Sequence, residues 1–168
     1  MASKSWKESC IINTTSRKLK GAVFKKDDII VVKEVIELKI YFGHSKDFDF
    51  VNEFYNPIEN EESLKEETLL FPHKMSRDSR NGRDFYKQID LFIAEVSHPA
   101  TGLGMELGWA FDENIPVYCF YRKGIKPSSS LFSITYNVIE YDSAQEMVNQ
   151  IVVIVQKAKQ KAAKQMVL

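Results

Sequence analysis

From Leu38 onward the chain alternates short apolar runs with segments whose apolar residues recur at helical spacing. Leu38-Lys39-Ile40-Tyr41-Phe42 reads as a first strand, ended by Gly43. Asp47 to Asn56 follows, with Phe50, Val51, Phe54 and Tyr55 on one helical face, and Pro57 breaks or restarts it. Thr68-Leu69-Leu70-Phe71 reads as a second strand closed by Pro72, and Ser79 to Gln88 as a short helix. Leu91 to Val96 is nearly all apolar, the pattern of a strand covered on both faces. A helix is expected over Leu103 to Glu113, strands over Val117 to Tyr121 and Asn137 to Tyr141, and a long closing helix. That helix opens with Ser143 and Glu146 at capping-box spacing and carries Met147, Val148, Ile151, Val152, Ile154 and Val155 as its apolar set.

Five strands joined by helical segments imply right-handed crossovers and a parallel sheet. The expected fold is α/β, a flavodoxin-like doubly wound sheet in the order 2-1-3-4-5 with helices on both faces. Ligands of such sheets sit beyond the carboxyl ends of the strands, where the winding reverses. Here that point falls between strands 1 and 3, at Gly43-His44-Ser45 and at Ser97 to Glu106. Residues 38–168 therefore form the domain, and residues 1–37 an N-terminal extension of unassigned role. Across residues 1–28 seven Lys and Arg stand against three Asp and Glu, and Ile29 to Val32 could add an edge strand; an added hairpin and a dimer arm are alternative readings.

Composition narrows the function classes. The 168 residues are 44% hydrophobic and 27% charged, which suits one compact domain. Lys plus Arg and Asp plus Glu both total 23, so no long-range field gathers a nucleic acid polymer or an anionic membrane. Cys10 and Cys119 lie far apart and form no disulfide framework. With no apolar run of bilayer length and no secretory segment, a cytoplasmic location is expected.

The densest chemistry lies in Ser97-His98-Pro99-Ala100-Thr101-Gly102-Leu103-Gly104-Met105-Glu106-Leu107-Gly108. Two glycines in a strand-to-helix turn let backbone approach a ligand. Glu106 is expected in the first helical turn, where the helix dipole favours an ionised carboxylate. A carboxylate there could stabilise or trap the oxocarbenium-like carbon of a departing N-glycoside; dipole compensation alone would also account for it. His44, His73 and His98 each follow one of three adjacent strands and could bind a divalent metal, the least favoured reading, contact substrate, act as general acid, or serve structural roles. No metal or cofactor is called for.

Gly102 to Gly108 resembles the Gly-x-Gly-x-Glu-Leu-Gly motif of the nucleoside 2-deoxyribosyltransferase family, which includes the 2′-deoxynucleoside 5′-monophosphate N-hydrolases. Lys39 to Gly43 and Asp90 to Val96 are similar to its first and third strands, and the likeness runs from Lys39 to about Tyr141. The resemblance implies Glu106 as nucleophile and the Tyr41 hydroxyl as its orienting donor, although Tyr41 also reads as a core aromatic. It implies phosphate contacts from Ser45 and from a neighbouring subunit's Ser130, hence a homodimer or higher homo-oligomer. Ser130 could equally belong to a solvated loop. Gly43, His44, His98, Ala100, Thr101, Gly102 and Gly104 complete the expected substrate site.

Two departures stand out. Where the family carries an aspartate before strand 3, this chain has Gly82, with Asp84 as the available substitute. Where the family is acidic or serine, it has Ala100. The expected function is cleavage of the N-glycosidic bond of 2′-deoxynucleosides or their 5′-monophosphates, with transfer to water or another base. The alternative is a nucleotide-binding or sensing module of the same fold without turnover.

Overall fold

The computed structural model describes residues 19–26, 29–76 and 82–166. The chain divides into two units, residues 1–36 and residues 37–168. In the first, β1 (Leu19–Lys26) and β2 (Ile29–Ile36) form a two-stranded antiparallel sheet, with Leu19 opposite Ile36. Ile29 to Val32 thus lie in a hairpin, not at the edge of the main sheet as the apolar run alone suggested.

The second unit holds a five-stranded sheet of β3 (Lys39–His44), β4 (Thr68–Leu70), β5 (Leu91–Glu95), β6 (Val117–Arg122) and β7 (Val138–Tyr141). Every pairing is parallel and the order is β4-β3-β5-β6-β7, which is 2-1-3-4-5 within this unit. The flavodoxin-like expectation holds. Central strand β5 is buried at all five positions, the consequence of layers on both faces.

Helix α2 (Thr101–Asp112) covers one face, packing Leu103, Leu107 and Ala110 onto Tyr41, Phe92, Ala94 and Cys119. On the chain between β3 and β4, a single wide turn Val51–Tyr55 runs into α1 (Asn56–Glu59), with Pro57 in its first turn; Pro57 restarts the helix where its missing N–H is harmless. The long α3 (Ala144–Met166) buries Met147, Val148, Ile151 and Val155. Its start uses the expected pair in a modified form. Ser143 Oγ accepts from the Glu146 N–H at 3.2 Å, but Glu146 reaches back to the Asp142 N–H at 2.8 Å, one residue beyond the usual partner.

Helix α2 ends in a Schellman turn. Asn114 takes a φ of 58°, and Ile115 N–H reaches Ala110 O at 2.9 Å. At the opposite end of the sheet from the crevice, buried Glu67 accepts the Leu38 N–H at 2.7 Å and pairs with Lys159, tying β3 to α3. Two expectations shift. Gly43 does not end β3, which continues to His44; a Cβ at Gly43 would lie 2.8 Å from the Phe92 ring and 2.9 Å from Leu103 Cδ1. The expected helix over Ser79 to Gln88 is a tight 3-10 turn, Arg83–Gln88, and Ser79 to Asn81 lie outside the described residues.

Candidate active site

The carboxyl ends of β3, β4 and β5 converge where the winding reverses, and a cavity of about 430 Å³ opens there. Its walls come from His44, Ser45, Lys46 and Asp47 after β3, Pro72 and His73 after β4, and Pro99, Ala100, Gly102, Leu103 and Glu106 leading into and along α2. Its size falls within the ordinary range of small-ligand sites. Glu106 and Ser45, separated by most of the central sheet in sequence, therefore face one space.

Helix α2 starts earlier than its apolar pattern suggested. Ala100 is the N-cap and Thr101 the first helical residue, so Glu106 sits in the second turn and no acidic residue occupies the first. The helix-dipole account of Glu106 is corrected accordingly, since that effect fades beyond the first turn. Gly102 and Gly104 are likewise helical and do not form a bend. A Cβ at either would meet nothing within 4 Å, so no internal contact requires glycine there. What they leave is open backbone toward the cavities, with Gly102 on the Glu106 side and Gly104 on the neighbouring one. Gly108 is also unopposed. Thr101 is exposed and is not part of either cavity wall.

What holds Glu106 is Tyr41. This side chain is 1% exposed, wedged among Phe85, Tyr86 and Phe92 with ring centroids 4.9 to 5.9 Å away. Burial, then the negative charge of Glu106, push the Tyr41 hydroxyl far above its usual pKa, and it hydrogen-bonds both Glu106 and Tyr86. A phenol that stays protonated is a standing donor toward that carboxylate. Tyr41 is a core aromatic whose hydroxyl also meets Glu106. Tyr86 escaped the sequence reading because only tertiary packing brings it there.

His44 is committed to the protein. Its Nδ1 lies 2.6 Å from Ser45 O, which can only accept, so Nδ1 carries the proton and Nε2 accepts from the Tyr55 hydroxyl at 2.6 Å. It stacks on Phe50 at 4.2 Å. Burial, with His73 and Lys46 adding positive charge nearby, lowers its pKa to about 4, so the ring is neutral at physiological pH. His44 lines the cavity as a brace for the loop that carries Ser45. The Ser45 hydroxyl oxygen accepts the Asp47 N–H at 3.2 Å. His73 lines the same cavity, 5.1 Å from His44. His98 instead stacks on Phe48 and lines a second cavity. The three histidines do not converge, and among the described residues no group of three His, Cys, Asp or Glu could hold a metal ion.

That second cavity, about 270 Å³, shares Pro99, Ala100 and Leu103 with the first and is floored by Val96, Leu107, Leu131 and Ile134. Ser130 lies on it with Ser128 and Lys126. Within one chain, then, Ser130 and Glu106 open onto different spaces. Asp84 is a clear miss. It is exposed and paired with Lys87 on the surface, outside both cavities. The short 3-10 turn points it outward. Gly82, at the family's aspartate position, has φ 78° and ψ −179°, a conformation that disfavours any side chain.

No protein-family model matches the chain. A protein of Methanococcoides burtonii named "Putative 2′-deoxynucleoside 5′-phosphate N-hydrolase 1" is 34% identical over 79 residues, which is 47% of this chain and 58% of that protein. One of the same name from Syntrophotalea carbinolica is 36% identical over 64 residues, 36% of this chain and 45% of that protein. The chain resembles the nucleoside 2-deoxyribosyltransferase family. It spans about half the length of the curated relatives it matches. A solved structure, that of a Clostridium botulinum CMP N-glycosidase, superimposes with a TM-score of 0.52 at 20% identity, over 69% of this chain and 98% of that one. That likeness bears on the fold alone. No described helix is long and apolar enough to cross a membrane.

Proposed function

We propose that this chain cleaves the N-glycosidic bond of 2′-deoxynucleoside 5′-monophosphates, or of the nucleosides themselves, with Glu106 as nucleophile. The observation that carries this reading is the Tyr41 hydroxyl bonded to Glu106 at the rim of the switch-point cavity. The names of the two curated relatives supply the substrate class. A Glu106 oxygen attacks C1′ as the C1′–N bond breaks, and the bonding electron pair leaves with the base, which takes up a proton. Water or the nitrogen of another base then attacks C1′ from the opposite side, the ester bond to Glu106 breaks, and the carboxylate is regenerated. Two displacements retain the anomeric configuration. Of the cavity's two histidines, His44 is occupied on both ring nitrogens, and His73 faces the same space from the end of β4. Ser45, Lys46 and the unobstructed first turn of α2 at Gly102 form the phosphate end, where helix N–H groups favour an anion.

Incubation of the purified protein with deoxynucleosides and their 5′-monophosphates should release free base, and Glu106→Ala should abolish the release. Base release unchanged in that variant would remove Glu106 from the mechanism. Supplying a second base separates transfer, which yields an exchanged nucleoside, from hydrolysis. A binding module without turnover is the second reading, favoured by the outward-facing Asp84 and by the backbone at Gly82. Nucleotide binding by calorimetry with no base released over days would select it.

A further inference from the structure

Glu95 is the one acid on the otherwise apolar strand β5, fully buried at the carboxyl end of the central strand. The reaction as described does not use it. Its Oε1 accepts the Ser97 N–H at 3.3 Å, the Ser97 hydroxyl, and the Tyr141 hydroxyl at 3.1 Å. Ser97 Oγ in turn accepts the Arg122 N–H at 2.8 Å. One oxygen of one carboxylate thus gathers the ends of β5 and β7, and Ser97 passes the connection to β6. The other oxygen, Oε2, is buried and meets no hydrogen-bond donor among the described residues. Burial accordingly raises the carboxyl's pKa, with the Ser97 and Tyr141 bonds opposing.

Keeping a carboxyl in this place is costly, because desolvation of a half-satisfied group opposes folding. The segment it fastens explains the expense. Ser97 lies in the five-residue connection Val96–Ala100 between β5 and α2, whose Pro99 and Ala100 form the partition between the two cavities, and whose Ala100 is the N-cap of the helix carrying Glu106. We propose that Glu95 is a positioning residue: its carboxylate clamps Ser97 and so sets the partition and the start of α2 against the Tyr41–Glu106 pair. The proposal rests on the reading of the Glu106 cavity as a nucleotide site, but its structural half stands without it.

Amide hydrogen exchange and base-release kinetics on Glu95→Ala, Glu95→Gln and Ser97→Ala test the two halves separately. Glutamine keeps an acceptor for the Ser97 and Tyr141 donors, so it should behave nearly as the parent. In Glu95→Ala the Ser97, His98, Ala100 and Thr101 amides should exchange about tenfold faster or more, with β3 unchanged, the effect of orphaning buried donors. KM for the deoxynucleotide should rise by a similar factor with a smaller fall in kcat. Ser97→Ala should shift both in the same direction, and Glu95→Ala combined with Ser97→Ala should be no worse than Glu95→Ala alone. Should Glu95→Ala fail to fold, the Ser97→Ala and Glu95→Gln arms decide alone. Unchanged exchange in the Ser97→Ala protein, or a Glu95→Gln protein as impaired as Glu95→Ala, would overturn the proposal. Absence of base release from the parent, with the exchange effects present, would sink the proposed reaction and leave the clamp standing.

Discussion

A carboxylate proposed to attack carbon must be held still, and at Glu106 the donor available for that is the Tyr41 hydroxyl. Removing that phenol's oxygen tests how much the arrangement contributes. Tyr41→Phe keeps the ring among Phe85, Tyr86 and Phe92 and deletes only the donor, so the fold should persist while kcat falls by about 10- to 100-fold and KM moves little. A rise in KM with kcat unchanged would instead place Tyr41 in ground-state binding. His44 offers a test of a different kind. Its pKa is about 4 in the folded chain against 6.5 in the open chain, so between those values the unfolded state holds the extra proton. Stability from this neutral ring is therefore complete above pH 6.5 and is lost as pH falls through 4, a swing on the order of 3 kcal/mol. Glu95, raised by burial, acts in the opposite sense. The informative measurement is thus the difference between parent and His44→Gln melting temperatures across pH 4 to 7. The parent should lose more on acidification.

At the scale of elements, the glycines separate packing from function more sharply than the motif does. Gly43 in β3 has no room for a methyl group, because Phe92 and Leu103 close over it. Gly43→Ala should cost about 1–3 kcal/mol by overpacking, read as a lower melting temperature. Gly108 in α2 is exposed and unopposed, so Gly108→Ala should stabilise by up to about 1 kcal/mol through helix propensity. Gly102→Ala should share that gain while weakening nucleotide binding, if substrate phosphate approaches its backbone. These opposite signs mark what was legible in the sequence. All five strands of the main sheet, their order and the switch point followed from apolar runs and helical spacing, because each reports burial over several consecutive residues. The pairing of Tyr41 with Glu106 was legible only through the motif. The start of α2 at Thr101, the outward turn of Asp84 and the buried Glu95 were not read. Each depends on a single backbone angle or a tertiary neighbour, to which periodicity is blind. The glutamate inside Leu91 to Glu95 was nonetheless a visible signal, a charge where the strand pattern had no exposed side to offer it.

At the scale of the whole molecule, the question is whether one chain makes a complete site. Ser130 lies on the cavity across the Pro99–Ala100 partition from Glu106, so a Ser130 hydroxyl that meets the same phosphate as Ser45 has to come from a second chain. The surface nearby suits such a partner, since Phe132 and Tyr136 are 48% and 87% exposed after the Ser130 turn, and Met105 and Phe111 are 54% and 55% exposed on α2 itself. Scattered exposed apolar residues are ordinary, so the shared site has to be tested directly. Subunit complementation makes the idea testable. Glu106→Ala lacks the nucleophile, and Ser130→Ala should raise KM for the 5′-monophosphate while sparing the nucleoside, as loss of a phosphate hydrogen bond requires. In a mixed dimer the Ser130→Ala chain keeps its Glu106 and receives Ser130 from its partner, so one of two sites is restored. Co-refolding the two variants should then recover monophosphate affinity at a fraction of the sites, with parental KM and reduced kcat. If Ser130 serves its own chain, mixing restores nothing, because the only chains with a nucleophile still lack the hydroxyl. A chain that elutes from gel filtration only as a monomer would exclude the shared site before any kinetics are run.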